Sequence, residues 1–366
     1  MNEVFILGAG FSKAISRWMP LTRDLSKEVT KSYAGSLPPE IQSMVEEDFE
    51  KALTFLAQQK PWLSEAQNLR HRALYLDLTQ VIRGLFRLKN RDPSIFGTNS
   101  VPEWLQFLIC YWHENRCSVI SLNYDTLIER FASMLCCWKK TLKIPTGTLY
   151  PVPLTPAAQR SAGVIGSDPI ETFRLFKLHG SINWFYSGAS DFFGEDIYYV
   201  PCFGGVDSAF DVFPDGKDRE KMHQSYLSDK VPLIIPPALD KSAFFQHESL
   251  RSLWFQAGEA IKRADKIICM GYSLPGSDLT MAQFLKSCAP VKHIPFEVIN
   301  FEPNRADHFT SVLGEKSYGF IQELDGAMCI PRFVVQKLVT DNEDRRHIIN
   351  MTSWGNESDS DDVMPT

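Results

Sequence analysis

Val4-Phe5-Ile6-Leu7-Gly8-Ala9-Gly10-Phe11-Ser12 is the stretch on which the fold turns. Its four apolar residues show no alternation, as expected of a short strand covered on both faces. A glycine loop follows at once. Glycines allow a tight turn and let backbone N–H groups approach an anion at the start of a helix. The same arrangement, an apolar run and then a polar or glycine cluster, returns further along. Ser118-Val119-Ile120-Ser121-Leu122 runs into Asn123-Tyr124-Asp125, and Phe173 to Leu178 runs into His179-Gly180-Ser181. Residues 265–270 run into Gly271-Tyr272-Ser273, and a strand at Phe296–Phe301 leads to Glu302-Pro303. Helical stretches lie between: from near Thr22, over Val101 to Glu114, from about Thr126, over 247–264, and after Ser277. Strands separated by helices predict an α/β fold, a parallel sheet with helices on both faces. Ligands in such sheets bind beyond the carboxyl ends of the strands, which is where these clusters fall.

The intervening segments set the organisation. From Pro39 to Lys89 apolar residues recur at spacings of three and four: Val45, Phe49, Leu53 and Leu56, then Leu74, Leu78, Val81 and Leu85. This predicts a helical insertion over 39–99 within a unit made of 1–38 and 100–340. Prolines at 145, 151, 153, 156 and 169 mark 138–170 as loop. Residues 186–230, rich in aromatics, glycine and aspartate, are expected to form an irregular insertion. Val231 to Pro237 reads as an edge strand, because proline is excluded from central ones. The acidic tail 341–366 holds four acids and no lysine or arginine from Gly355 onward, and disorder is expected there.

A length of 366 residues fits two domains, or one large α/β domain with an insertion. With 44% apolar and 22% charged residues, the chain is neither disordered, collagen-like nor coiled-coil. A net charge of −6 supplies no global basic field, so direct nucleic-acid binding is not expected. No stretch approaches the ~18 apolar residues of a membrane span. Val4–Leu7 is too short for a signal-peptide core and follows Glu3. The expected location is cytoplasmic. None of the 8 cysteines forms a Cys-x-x-Cys pair, so no metal is expected and the thiols read as buried and reduced.

Each motif alone has a plain reading beside a functional one. Lys13 stands where a dinucleotide fingerprint would carry glycine, so the glycine loop is a nucleotide site or a simple strand–helix turn. Asn123 and Asp125 are good helix caps, His179 fits a structural histidine, and Gly271-Tyr272-Ser273 fits an ordinary turn. Taken together and in this order, the motifs resemble the sirtuin family, most of all its prokaryotic, defence-associated branch. There Gly-Ala-Gly-Phe-Ser, Asn-Tyr-Asp-Thr-Leu and Lys-Leu-His-Gly-Ser-Ile-Asn-Trp recur, matched here by Gly8–Ser12, Asn123–Leu127 and Lys177–Trp184. The resemblance spans roughly residues 3–305. It implies a Rossmann-like, NAD-binding domain that breaks the nicotinamide–ribose bond. Carried over by position, Gly8, Ala9, Gly10, Phe11 and Ser12 would line the pyrophosphate, and Asn123 and Asp125 would sit beside the nicotinamide ribose. His179 would be catalytic, Gly271 and Ser273 would hold the far phosphate and ribose, and Asn300 and Glu302 would flank the adenosine. Arg23 joins the NAD-binding set because Pro20-Leu21-Thr22-Arg23 is the best match to the family's Pro-Asp-Phe-Arg.

The four-cysteine zinc module of deacetylating sirtuins is missing, and with it part of the frame of their acyl-lysine channel. The expected activity is therefore NAD glycohydrolysis, with NAD as substrate and no metal. Nicotinamide leaves from a pyridinium glycoside through a transition state that is cationic at the anomeric carbon. The Asn123 amide can orient water or a ribose hydroxyl, and His179, with an ordinary pKa near ~6.5, can accept a proton. The alternatives are an NAD-dependent protein deacylase or ADP-ribosyltransferase, or a nucleotide-sensing module without chemistry. A free NADase would kill its host, so an antiphage-defence effector gated by assembly is expected: a homo-oligomer, or a complex with a HerA-type hexameric ATPase or a short Argonaute. The helical segment 39–89 and the aromatic insertion, with Phe192, Phe193, Tyr198, Tyr199 and Phe203, are the expected contact surfaces.

Overall fold

A computed structural model describes residues 1–33, 37–89, 102–134, 136–137, 140–141, 144–159, 170–188, 196–202, 221, 224–235, 247–276, 278–314, 320–326 and 328–338. In chain order the strands are β1 (Glu3–Leu7), β2 (Ser118–Ser121), the short pair β3 (Cys136–Cys137) and β4 (Lys140–Thr141), β5 (Thr155–Pro156), β6 (Arg174–Lys177), β7 (Gly180–Tyr186), β8 (Tyr198–Tyr199), β9 (Val231–Ile234), β10 (Lys266–Met270), β11 (Pro295–Ile299) and β12 (Phe320–Leu324).

Six of them make one parallel sheet in the order β12-β11-β10-β1-β2-β6. All five residues of β1 are buried, because helices cover both faces of the sheet centre. On one side, Phe5 meets Trp112 of the helix Glu103–Glu114 edge to face at 5.4 Å. The α/β, Rossmann-like architecture read from the sequence is the one observed. From β1 the chain builds β2 and β6 on one flank, then returns to build β10, β11 and β12 on the other. The order of strands reverses between β1 and β10, and a crevice opens beyond strand ends at such a point.

Gly180 turns the chain out of this sheet. Its φ is +74°, and an added Cβ would overlap the Leu233 carbonyl oxygen. The strand that ends at Lys177 resumes as β7 in a second sheet, ordered β5-β8-β7-β9. Pro232 lies in β9, an edge strand as expected. The expectation of irregular structure from residue 186 fails at Tyr198–Tyr199. These residues pair with Trp184 and Phe185 as β8, a strand too short to leave a period in the sequence.

After β1 come α1 (Ala9–Ile15) and α2 (Thr22–Ser32), and the helical segment from Pro39 to Lys89 forms as α3 (Pro39–Glu47), α4 (Phe49–Ala57) and α5 (Glu65–Lys89). Asp48 separates α3 from α4 by accepting the Lys51 N–H at 3.1 Å, an ordinary N-cap. The expected α5 ridge is corrected in phase. Tyr75, Leu78, Ile82 and Phe86 are the buried ridge, whereas Leu74, Val81 and Leu85 are only partly buried. The period was legible, but the long helix carries apolar residues on more than one face. Among the described residues no helix is long and apolar enough to cross a membrane. Cys117, Cys202, Cys269, Cys288 and Cys329 are free thiols, and burial pushes Cys117 up to about 12. Cys110 departs from the reduced-thiol reading and is disulfide-bonded; spacing in sequence does not report which cysteines meet in space. The tail 341–366 lies outside the described residues.

Candidate functional site

At the switch point two glycine turns lie backbone to backbone. The Gly8 N–H donates to Met270 O at 3.1 Å, the Gly10 N–H to Gly271 O at 2.9 Å, and the Gly271 N–H to Ile299 O at 2.8 Å. A Cβ on Gly8 would stand 2.6 Å from Gly271 O, and one on Gly10 2.8 Å from Gly271 Cα. Gly271 has φ +63°, and a Cβ there would overlap the Phe11 nitrogen. These glycines are thus required for loop-on-loop packing, and backbone hydrogen bonds tie the ends of β1, β10 and β11 together. Ala9 opens α1. Phe11 anchors the same helix by packing 6.1 Å from the rings of both Trp104 and Trp112.

Beside this turn stands a buried polar network. Asn123 Nδ2 donates to Gly8 O at 2.8 Å and to Ser12 Oγ at 2.9 Å. Ser12 Oγ in turn donates to Asp125 Oδ2 at 2.6 Å. Asp125 Oδ1 accepts the Leu127 N–H at 3.1 Å and caps the helix Leu127–Met134. Asn123 is therefore not that cap; its amide hydrogens are committed to the glycine loop and Ser12. Below Asp125 the Lys177 ammonium is fully buried. It donates to the Asp125 carbonyl and pairs with Glu129 at 3.3 Å, both side chains 1% exposed. Burial raises the Glu129 carboxyl above the usual 4.5, with Lys177 pulling it back down. Tyr150 donates to Glu129 at 3.1 Å, and Asn183 donates to Tyr150 Oη at 3.0 Å.

His179 occupies the end of β6, 3% exposed, at the hinge between the two sheets. Its backbone carbonyl accepts the Ile235 N–H at 2.9 Å. Its Nε2 lies 3.8 Å from the Asp278 carboxylate. Asp278 is buried and doubly held: Tyr272 Oη donates to it at 2.8 Å, and it caps the helix Leu279–Ser287 through the Met281 N–H at 3.2 Å. A histidine backed by a fixed carboxylate is the arrangement that orients a general base. Asn300 is buried and donates to Tyr272 O at 3.2 Å, joining the third strand end to the same loop. Ser273 is half-buried beside Tyr272. Glu302 stands apart, exposed and ion-paired with Arg305. Arg23 lies in the first turn of α2, and its side chain is outside the described set.

The structure thus joins Gly8, Gly10, Phe11, Ser12, Asn123, Asp125, Gly271 and Asn300 through direct contacts or shared loops, with His179 on the neighbouring strand end. Sequence reading missed Asp278, Lys177, Glu129, Tyr150 and Asn183. Asp278 had a signal, an aspartate at the head of an expected helix, and Lys177 had another, a lysine between apolar residues of a strand. Glu129 and Tyr150 had none. Among the described residues no group of three or more His, Cys, Asp or Glu side chains could hold a metal ion.

No family model matches the chain, and no curated protein matches it. A solved structure titled "The Structural basis of Sirtuin Substrate Affinity" is similar at 12% identity and a TM-score of 0.37, over 96% of this chain and 94% of that one. That agreement is too low to bear on the site, whose description stands on the chain's own geometry.

Proposed function

We propose that the chain is an NAD glycohydrolase whose active site is the strand-end crevice around Asn123 and His179. The observation that carries this reading is a juxtaposition. A doubly anchored asparagine at the end of β2 reaches the Gly8 turn beside the switch point, and a buried histidine backed by Asp278 follows the neighbouring strand β6. In the reaction, water adds to the ribose anomeric carbon and the C–N bonding pair departs with nicotinamide. The water proton passes to His179, which contributes ~10²–10⁴-fold as a general base. Both amide hydrogens of Asn123 are engaged, so its Oδ1 is the end that accepts from a ribose hydroxyl or the attacking water. Asp125 and Ser12 hold Asn123 in place, Gly8, Ala9, Gly10 and Phe11 shape the pyrophosphate side, and Gly271, Ser273 and Asn300 shape the adenosine side. Glu302 and Arg23 stay in the proposed NAD-binding set on the strength of the sequence resemblance.

Unregulated NAD hydrolysis is lethal, so the same proposal includes gating in an antiphage-defence assembly, either of copies of this chain or with a HerA-type ATPase or short Argonaute. Trp62, Leu69 and Leu88 of the helical segment are 76%, 61% and 73% exposed, which favours that segment as the contact surface. Tyr198 and Tyr199 are half-buried in the chain's own second sheet, which disfavours that part of the aromatic insertion. The test is to incubate the protein with NAD and quantify free nicotinamide, with and without an acyl-lysine peptide. Release without peptide supports hydrolysis, release only with peptide makes the enzyme a deacylase, and NAD binding without release makes it a sensor.

A further inference from the structure

The glycine turn after β10 also delivers a buried hydroxyl. Tyr272 follows Gly271, whose left-handed turn packs on Gly8 and Gly10. Three contacts then fix its course. Its carbonyl accepts from Asn300 Nδ2 at 3.2 Å, its ring meets Phe309 edge to face at 6.4 Å, and two residues on His308 Nε2 lies 2.8 Å from the Leu274 carbonyl oxygen. From this buried position Tyr272 Oη donates to Asp278 Oδ2 at 2.8 Å. The same oxygen faces His179 Nε2 at 3.8 Å, while Asp278 Oδ1 takes the Met281 N–H at 3.2 Å. One carboxylate oxygen therefore caps a helix, and the other is shared by a phenol and an imidazole.

That sharing has a chemical consequence. A carboxylate beside an imidazole favours the imidazolium, and a hydrogen-bond donor on the carboxylate weakens that pull. A protonated histidine cannot act as a base. The other ionisable groups on the elements that meet here are directed elsewhere. Lys177 pairs with Glu129 and donates to the Asp125 carbonyl, Asp125 accepts from Ser12, and Tyr75 and Tyr124 donate to the Ile234 and Ile235 carbonyls. We infer that Tyr272 is a positioning residue for His179: its hydroxyl holds Asp278 in place and tempers the carboxylate charge, so that the imidazole stays neutral and able to accept a proton. Its catalytic purpose rests on the NAD reading, whereas the link from Tyr272 to His179 is measurable without turnover.

Two measurements on the full chain test this. The His179 imidazole is titrated by NMR in protein carrying isotope-labelled histidine, its signal assigned by its loss in His179→Gln. Nicotinamide release from NAD is followed over the same pH range. Tyr272→Phe keeps the ring and should raise the His179 pKa by at least ~0.5 pH unit. The release rate then falls on the acid side and recovers at alkaline pH, whereas a merely structural loss lowers it at every pH. Asp278→Asn should lower the His179 pKa, and adding Tyr272→Phe to it should move that value by less than ~0.2 pH unit. Should Tyr272→Phe lose its cooperative thermal transition, Asp278→Asn is read alone, and an unchanged His179 pKa overturns the inference. It is equally overturned if Tyr272→Phe leaves the His179 pKa unchanged or lowers it, or raises it as much without the Asp278 charge. A shifted pKa without nicotinamide release from any of the proteins upholds the link from Tyr272 and tells against NAD hydrolysis by this chain alone.

Discussion

On the β2 and β6 side of β1 the strand-end rim is held by side chains: part-buried Asn123 and buried Ser12, Asp125, Lys177 and Glu129 in one connected network. On the β10 and β11 side it is held mainly by backbone, with Gly271 packed on the Gly8 turn and Asn300 clipping the Tyr272 carbonyl. The first side fixes polar atoms where a reaction needs them. The second fixes a shape through its glycine turns, with Asn300 and Asp278 buried beside them and Glu302 exposed at the edge. A substrate with one reacting end and one merely recognised end suits that asymmetry.

Substitutions should break the two sides differently. The largest effect is expected on the backbone side. Gly271→Ala forces a Cβ into the Phe11 nitrogen at a left-handed φ, and strain plus overpacking should cost about 4 kcal/mol in urea denaturation. On the side-chain side, Glu129→Gln leaves the Lys177 ammonium buried without its counter-ion and should cost about 3 kcal/mol; adding Lys177→Met should recover at least half. Because burial raises Glu129 above 4.5, the folded state keeps a proton that the unfolded chain has lost. Stability from this group therefore falls as pH rises from about 4.5 through the raised value, and Glu129→Gln should remove that slope. Asp278→Asn keeps the helix cap but loses the charge behind His179, and should lower kcat about tenfold with little change in melting temperature. Glu302→Gln breaks only an exposed ion pair and should change stability by less than about 0.5 kcal/mol.

The backbone side was the more legible in sequence. Gly8, Gly10 and Gly271 follow apolar runs directly, and a glycine straight after a buried strand marks a turn that a side chain would obstruct. The side-chain side was legible only at its rim, in Asn123, Asp125 and His179. Its foundation comes from Glu129 and Tyr150, 21 residues apart and joined by tertiary folding alone. The hinge at Gly180 was also hidden, because Lys177 to Trp184 reads as one motif while the chain crosses from one sheet to another within it. Asp278 is distant in sequence from the His179 it faces, and no spacing rule connects them.

The most direct measurement is the initial rate of nicotinamide release from NAD by the wild-type protein, His179→Ala and Asn123→Ala, with all three checked for the same thermal transition. Should the purified chain be silent, the same three are compared as cellular NAD levels after expression with the partner. A crevice that works through these two residues predicts release by the wild type and a loss of at least ~10²-fold in each variant. A His179→Ala protein that is folded and releases nicotinamide at the wild-type rate would contradict the assignment of the strand ends as the reacting site.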